Sequence, residues 1–324
     1  METLSHFLDE WHDASPYLTV QTSGSTGIPK PIRVRKEQMV ASARLTCSFL
    51  GLNEGDKALL CMPLDYIAGK MVVVRSLVAG LDLVTVPPSG HPLKDVNTPL
   101  RFAAMIPMQV YNTLRMPEEK EKLMQIDHLI IGGGAIDAGL AKELKELPNH
   151  IWSTYGMTET LSHIALRRLN GEDASSYYIP FDNVRLTLSD DSTLVIDAPL
   201  VCDETLVTND IAELLPDGRF RILGRKDNVI NSGGIKIQIE QVEELLKQLL
   251  QVPFAVTSVP HPKFGEAVVL LVEAEQPIDK LQQQIETQLP SYWHPKQIHY
   301  VTKIPQTGSG KIDRATTKKL AVSL

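Results

Sequence analysis

The chain has 324 residues, of which 43% are hydrophobic and 22% charged, and its formal net charge is −7. A chain of this length can bury a large core and usually forms more than one domain. The ordinary composition argues against long disordered regions. The negative charge gives no pull towards nucleic acid or an anionic membrane, so neither partner is expected.

Cysteine usage and the first residues bear on location. Cys47, Cys61 and Cys202 show neither metal-ligand spacing nor a disulfide framework, which favours a reducing cytoplasm. Residues 1–16 are polar and acidic, unlike a secretory signal. The most apolar stretch, residues 71–86, is interrupted by Arg75 and Asp82, so no membrane anchor is predicted.

Short apolar runs alternate with helix-like segments through the first half of the chain. The predicted strands are residues 57–63, 81–87, 101–107 and 128–134, and the predicted helices are residues 66–80, 109–115 and 137–147. This alternation predicts an α/β fold with a mainly parallel sheet. Ligands of such sheets bind beyond the carboxyl ends of the strands, and the predicted strand at 128–134 ends in glycines there.

The pattern changes near residue 180. Two hairpins are predicted, with turns at Asp190-Asp191 and Asp217-Gly218. Beyond residue 225 an α+β pattern follows: helices at 236–250 and 279–289, and strands at 254–260, 266–274 and 297–305. We therefore predict an N-terminal domain over residues 1–225, with a β-rich part at about 180–225, and a C-terminal α+β domain over 226–324.

Residues 20–32, VQTSGSTGIPKPI, combine glycines, hydroxyl side chains and one lysine. Such a loop offers backbone N–H groups, hydroxyls and a mobile positive charge, which are the needs of a phosphate cradle. The Walker pattern is absent, because no Gly-Lys-Ser/Thr follows a four-residue gap.

This segment resembles the phosphate loop of the adenylate-forming superfamily, which includes acyl-CoA synthetases, luciferases and peptide-synthetase adenylation domains. Four further stretches resemble motifs of that family in the same order: GGGAI at 132–136, YGMTET at 155–160, the region 208–237, and PQTGSGKIDR at 305–314. Five ordered matches identify the chain as a member. The resemblance implies a large N-terminal domain and a small mobile C-terminal domain.

The family reaction implied by the resemblance has two halves. ATP and a carboxylic acid give an acyl-adenylate and pyrophosphate, and coenzyme A then displaces AMP. ATP, Mg²⁺ and CoA are therefore the expected cofactor, metal and co-substrate. The nucleotide-binding residues implied are Thr22, Ser23, Gly24, Ser25, Thr26, Gly27, Gly133, Gly134, Ala135, Tyr155, Gly156, Thr158, Asp210 and Arg225.

The resemblance also implies the catalytic groups. Lys311, Lys30 and Glu159 would act in adenylation, with Thr158 and Glu159 as Mg²⁺ ligands. Asp227 would be the hinge, and Gly233 and Gly234 would frame the path of the thiol. Asn209 stands where the family usually has glycine.

Residues 63–80 and 158–169 resemble the o-succinylbenzoate–CoA ligases of menaquinone biosynthesis, whose substrate has a second carboxylate. Arg75 would bind that carboxylate, since a lone arginine in an apolar helix requires a partner. The alternative to this role is that Arg75 reaches the surface or pairs with a nearby acid. Ser162 and His163 would lie near the substrate, although His163 could equally be a core histidine. Asp65 stands where the family often has histidine.

Only about twenty residues precede the phosphate loop, so we expect part of the usual N-terminal subdomain to be absent and a homodimer partner to be one way of completing the pocket. The favoured function is o-succinylbenzoate–CoA ligase. The alternatives are another aryl- or acyl-CoA ligase and a truncated homologue that binds nucleotide or acyl-CoA without turnover. Aminoacyl adenylation is less favoured, because no carrier domain follows.

Overall fold

A computed structural model describes residues 2–21, 31–134, 136, 138–306 and 312–324. The chain divides into two compact units. The first comprises Met1–Thr187, Val195–Leu206 and Leu214–Arg221, and the second comprises Leu188–Leu194, Val207–Glu213 and Ile222–Leu324. Among the helices so described, none has both the length and the apolar character that spanning a membrane requires.

A seven-stranded sheet organises the first unit, with the order β4-β3-β5-β6-β7-β8-β9. The strands are β3 (Lys57–Leu60), β4 (Asp82–Thr85), β5 (Leu100–Met105), β6 (Ile126–Ile131), β7 (His150–Gly156), β8 (His163–Arg168) and β9 (Ile179–Pro180). The pairings from β4 to β7 are parallel, whereas β8 and β9 are antiparallel. The prediction of a mainly parallel sheet is confirmed.

Six helices are described in this unit: α1 (Leu4–His12), α2 (Lys36–Leu50), α3 (Ile67–Ala79), α4 (Pro107–Arg115), α5 (Pro117–Met124) and α6 (Ala138–Lys145). Glycines in the left-handed conformation end α2 and α3, with φ 61° at Gly51 and 67° at Gly80. Buried aliphatic side chains of β3, β5 and β6, among them Leu59, Ala103 and Leu129, form the core.

A short hairpin flanks the predicted phosphate loop. β1 (Tyr17–Gln21) pairs antiparallel with β2 (Pro31–Arg35), and the pairing extends to Gln21 opposite Pro31. The loop itself, residues 22–30, lies outside the described residues.

A four-stranded sheet contains both predicted hairpins, in the order β10-β11-β12-β13. Its strands are β10 (Arg185–Leu188), β11 (Thr193–Asp197), β12 (Leu206–Leu214) and β13 (Phe220–Arg225). The predicted turns are both present: Ser192 N donates to Ser189 O at 2.9 Å, and Gly218 has φ 86°.

The second unit contains a five-stranded sheet. β14 (Val229–Ser232), β15 (Ile235–Gln238), β16 (Phe254–His261) and β17 (Gly265–Glu273) follow the order β15-β14-β17-β16, and β18 (Gln297–Val301) pairs with β17. The helices are α7 (Ile239–Leu246), α8 (Leu281–Gln288) and α9 (Arg314–Ser323). The predicted helix over 236–250 is wrong at both ends: residues 235–238 form a strand, and α7 ends at Leu246.

Candidate active site

The structure covers part of the predicted site. Several predicted residues lie outside the described ones: Thr22, Ser23, Gly24, Ser25, Thr26, Gly27, Lys30, Ala135 and Lys311. In the first unit the others lie on α3 and near the carboxyl ends of β6 and β7. In the second unit they lie on β12 to β15 and in their connections.

The glycine segment after β6 packs closely on its neighbours. Gly132 N donates to Met105 O at 3.1 Å. A Cβ at Gly132 would come within 2.4 Å of Thr154 Oγ1, so a side chain at this position would force Thr154 to move. Gly133 has φ 76°, a conformation that favours glycine. The segment thus presents backbone at the carboxyl end of the parallel sheet, where ligands of such sheets bind.

Tyr155, near the end of β7, packs among aromatic rings. Its ring centroid lies 5.1 Å from that of Phe220 in an edge-on contact and 5.8 Å from that of Tyr178. The side chain is half-buried. These contacts hold the ring in place, and they suit a surface for adenine as well as a residue of the core.

The motif after Tyr155 ends in a strained turn. Thr158–Thr160 form one 3-10 turn in which Thr158 is buried and Glu159 exposed. Leu161 follows with φ 66° and ψ −39°, and Ser162 N donates to Thr160 O at 2.7 Å, which makes a γ-turn. The Thr160 hydroxyl is within hydrogen-bonding distance of the carbonyls of Met157 and Ser162, at 3.0 and 2.8 Å. Such strain persists only where surrounding contacts enforce it. The turn fixes the positions of Ser162 and His163, which follow it.

Gly156 makes that arrangement possible. A Cβ there would lie 2.2 Å from Ser162 O and 2.5 Å from His163 Cα, both backbone atoms. The β7–β8 register shifts at this point, between Tyr155 and Gly156. The glycine therefore lets the backbone before β8 cross directly over the end of β7.

Arg75, on α3, is only 2% exposed. Its Nη2 donates to Ser162 Oγ at 2.7 Å, while its buried Nε has no hydrogen-bond partner in the part of the chain that the structure describes. Among the described residues, no carboxylate oxygen lies within 4.0 Å of the guanidinium. Burial lowers the pKa of Arg75 to about 10, and the nearby Cys47 thiol partly offsets this effect. The structure contradicts a surface-reaching arginine and, within the described chain, an arginine paired with an acid.

His163 is buried, and both its ring nitrogens face hydroxyl groups. Nε2 lies 3.0 Å from Thr46 Oγ1, and Nδ1 lies 3.2 Å from Ser162 Oγ. The Phe181 ring contacts it edge-on at 5.4 Å. Burial, and then the charge of Arg75, keeps the pKa of His163 well below its ordinary value. His163 is thus a neutral, hydrogen-bonded core histidine that is linked to Arg75 through Ser162.

In the second unit Arg225 lies between two carboxylates. Nη1 donates to Asp210 Oδ1 at 3.1 Å and Nη2 to Asp227 Oδ2 at 2.9 Å. Burial alone would lower the pKa of Arg225, but these two acids raise it above its ordinary value. Asp227, in a 3-10 turn over Lys226–Asn228, is thereby tied to Asp210 through one guanidinium.

Gly233 and Gly234 form the two-residue turn between β14 and β15. Their φ angles are 60° and 83°, as a type I′ hairpin requires. Gly233 N donates to Phe264 O at 2.8 Å, whereas a Cβ at Gly234 would meet no described atom within 4 Å. The turn therefore offers open backbone at Gly234.

Three residues near α3 were not predicted to interact. Asp65 Oδ1 accepts a hydrogen bond from Glu2 N at 3.2 Å, and the buried Lys70 Nζ contacts a carboxylate oxygen of Glu2 at 2.7 Å. Asp65 and Lys70 thus bind Glu2, which lies just before Thr3, the N-cap residue of α1. Sequence reasoning noted Asp65 without an explanation, and nothing in the local pattern pointed to its partner.

Comparisons with known proteins agree with this architecture. The model of the AMP-binding enzyme family matches residues 7–199, and that of the AMP-binding enzyme C-terminal domain matches residues 241–311. The 2-succinylbenzoate–CoA ligase of Listeria monocytogenes serotype 4b is 26% identical, and the match covers 96% of this chain and 72% of that one. The ligase of Salmonella typhimurium is 29% identical over 78% of this chain and 57% of its own.

Solved structures share the fold. An acyl-CoA synthetase (AMP-forming)/AMP-acid ligase II-like protein from Dyadobacter fermentans is 32% identical, with a TM-score of 0.67, over 96% of this chain and 91% of that one. The Bacillus subtilis o-succinylbenzoate CoA synthetase bound to its acyl-adenylate has a TM-score of 0.77 at 22% identity, over 93% of this chain and 68% of that one. The predicted adenylate-forming fold is confirmed, and the chain belongs to the AMP-binding enzyme family.

Proposed function

We propose that the chain is an AMP-forming acid–CoA ligase whose acid is 2-succinylbenzoate. The relatives that carry this name support the reaction class and the substrate. The observation that carries the proposal is Arg75, a fully buried guanidinium with no acid partner in the described chain. Leaving such a cation unpaired costs free energy unless an anion binds to it. The second carboxylate of 2-succinylbenzoate is such an anion.

In the proposed first step, a carboxylate oxygen of the acid attacks the α-phosphorus of ATP, and pyrophosphate leaves. In the second step the thiolate of CoA attacks the acyl carbonyl carbon, the bond to the AMP oxygen breaks, and AMP leaves with its electron pair. Charge gathers on phosphate oxygens in the first step, so positioned donors and cations supply most of the stabilisation.

We assign roles by the family motifs. Ser23, Ser25, Thr26 and Lys30 would hold the phosphates, and Lys311 would contact the acid carboxylate and the α-phosphate. Tyr155 and the backbone of Gly133 and Gly134 would enclose adenine. Asp210 would accept hydrogen bonds from the ribose hydroxyls, and Arg225, which already contacts Asp210, would orient it.

The donor set suits Mg²⁺. Thr158 and Glu159 offer oxygen atoms at the end of β7, and this ion prefers oxygen ligands. When bound, Mg²⁺ would neutralise charge on the phosphates. Cytoplasmic location, a homodimer, the domain boundary after residue 225 and the hinge role of Asp227 stay predictions.

The test is pyrophosphate release from Mg-ATP with 2-succinylbenzoate, with and without CoA, beside benzoate and a fatty acid. We expect selective release with 2-succinylbenzoate, and thioester only when CoA is added. Release with another acid alone would keep the ligase and reject the substrate. Tight ATP binding without turnover of any acid would favour the binding-only alternative.

Lys311→Ala separates the two half-reactions. We expect adenylation to fall by about 10²–10³-fold, the scale for losing a placed electrostatic contact. Thioester formation from preformed acyl-adenylate should be retained, because this lysine is assigned to the first half alone. Equal losses in both halves would contradict that assignment.

A further inference from the structure

A chain of hydrogen bonds leads from α2 to Arg75. Thr46 Oγ1 lies 3.3 Å from Ser42 O and 3.0 Å from His163 Nε2. His163 Nδ1 lies 3.2 Å from Ser162 Oγ, which accepts from Arg75 Nη2 at 2.7 Å. Thr46 and His163 are both buried, so water does not substitute for these bonds.

The donors and acceptors in this series of hydrogen bonds all point in one direction. Ser42 O can only accept, so the Thr46 hydroxyl donates to it and accepts from His163 Nε2–H. Neutral His163 then has a lone pair on Nδ1, which accepts the Ser162 hydroxyl proton. Arg75 can only donate, and it meets the free lone pair of Ser162 Oγ. Each donor in this series of hydrogen bonds therefore meets an acceptor.

The arrangement restrains Arg75. Ser162 follows Leu161, whose backbone is strained, so its hydroxyl stays in place only if other contacts hold it. His163 and Thr46 supply those contacts. With Nη2 directed to Ser162, the Nε of Arg75, which has no partner among the described residues, remains for another acceptor.

We propose that Thr46 and His163 are positioning residues for recognition of the acid: they orient Ser162, which orients the Arg75 guanidinium towards the remote carboxylate of the substrate. Neither residue contacts the substrate in this scheme. The inference rests on the proposed function, since it assumes that Arg75 binds an anionic group of the acid.

Two pairs of variants test it. Thr46→Val and His163→Leu remove the hydrogen bonds, whereas Thr46→Ser and His163→Gln keep a donor and an acceptor. We expect the first pair to raise KM for 2-succinylbenzoate by about tenfold, the scale of one hydrogen bond to a charged network. KM for ATP should not change. The second pair should return KM for the acid to within about threefold of the wild type.

Thr113→Val is the matched control. Thr113 is a fully buried threonine on α4 whose hydroxyl has no hydrogen-bond partner within residues 2–21, 31–134, 136, 138–306 and 312–324, so its loss should leave both KM values unchanged. A double-mutant cycle between Thr46 and Arg75 measures whether the effect of Thr46 on KM for the acid depends on Arg75, which a merely structural role of Thr46 would not require. In an Arg75→Gln background, Thr46→Val should no longer change KM for the acid.

The inference is overturned if Thr46→Val leaves KM for the acid unchanged, if Thr46→Ser and His163→Gln lose as much as the apolar variants, or if the Thr46→Val effect persists without Arg75. If the wild type prefers another acid with a second anionic group, the proposed substrate is wrong. The KM values of the same variants for that acid then test the inference. A preferred acid with no second anionic group overturns both.

Discussion

Arg75 combines full burial with the lack of an acid partner in the described chain. Burying a charge is costly unless it is paired and hydrogen-bonded, and Ser162 supplies a single neutral acceptor. A free enzyme built in this way gives up stability for binding, as functional sites often do. This residue is the strongest link between the fold and an acid that carries two carboxylates.

Arg75→Met tests whether Arg75 lowers stability and favours binding of the acid. We expect the free energy of unfolding of the unliganded protein to rise by about 0.5–2 kcal/mol, because an unpaired buried charge is removed. At the same time kcat/KM for 2-succinylbenzoate should fall by about 10²–10³-fold, the scale for losing one partner of a buried charge pair. Urea unfolding and initial rates measure the two effects. A less stable variant would instead indicate a structural arginine.

His128 gives the first unit a pH-dependent stability. It is 8% exposed, and its Nδ1 accepts from Trp152 Nε1 at 3.4 Å. Burial, and then the charge of Arg101, lowers its pKa to about 4. Because the unfolded chain takes up this proton near pH 6.5, stability should fall as the pH drops from about 6.5 to about 4.

His128→Gln should flatten that decline. One histidine contributes at most about 1.4 kcal/mol per pH unit, since it binds at most one proton more in the unfolded state. The measurement is urea unfolding at several pH values between 4 and 7. His163, whose pKa is also lowered, should retain part of the slope. An unchanged slope in the variant would assign the decline to other groups.

At the scale of elements, the junction of β7 and β8 is the most constrained part of the site. Gly156→Ala would place a methyl group 2.2 Å from Ser162 O, and backbone cannot move aside cheaply. We expect a loss of about 1–3 kcal/mol in the free energy of unfolding, as for overpacked positions. Activity should fall too, because Ser162 and His163 would be displaced.

Gly90→Ala is the matched control for that loss. Among the described atoms, a Cβ there would meet only the end of the Asn112 side chain, at 2.9 Å, and that side chain can move at the cost of its weak 3.3 Å hydrogen bond to Gly90 O. We expect little change in stability or rate. If the two alanine variants unfold at the same urea concentration, the packing argument for Gly156 is wrong.

Elements with strong local signals were predicted well. The Asp190-Asp191 and Asp217-Gly218 turns and the strands β3, β4, β5 and β6 of the parallel sheet occur where turn residues and apolar runs predicted them, whereas β7 was not predicted as a strand. The helix α5, over PEEKEKLM, was not predicted; it begins at a proline, has acidic residues in its first turn and buries few side chains. β15 was predicted as helix because its residues continue the amphipathic pattern of α7. Pairing with β14 overrides that pattern.

At the scale of the whole molecule, each unit has its own hydrophobic core. Leu129 lies in the core of the parallel sheet, and Leu270 lies in the core formed by β16, β17 and α7. Both side chains are 0% exposed. Separate cores allow the two units to unfold separately.

Leu129→Ala and Leu270→Ala test this independence by calorimetry. Each should destabilise its own unit by about 2–5 kcal/mol, through lost burial and a residual cavity. We expect two transitions, with a different one lowered by each variant. A single transition lowered equally by both variants would show that the units unfold as one cooperative body.

The sequence by itself determined the family, the order of the motifs and most of the sheet, because these depend on local patterns and on residue types at short spacing. Only the tertiary structure decided the environment of Arg75. Its contact with Ser162 spans 87 positions, and the Thr46–His163 contact spans 117. The role of Asp65 was likewise hidden, because its partner Glu2 is 63 positions away. No local pattern encodes which distant side chains meet, so burial and pairing of charged groups appear only when the chain has folded.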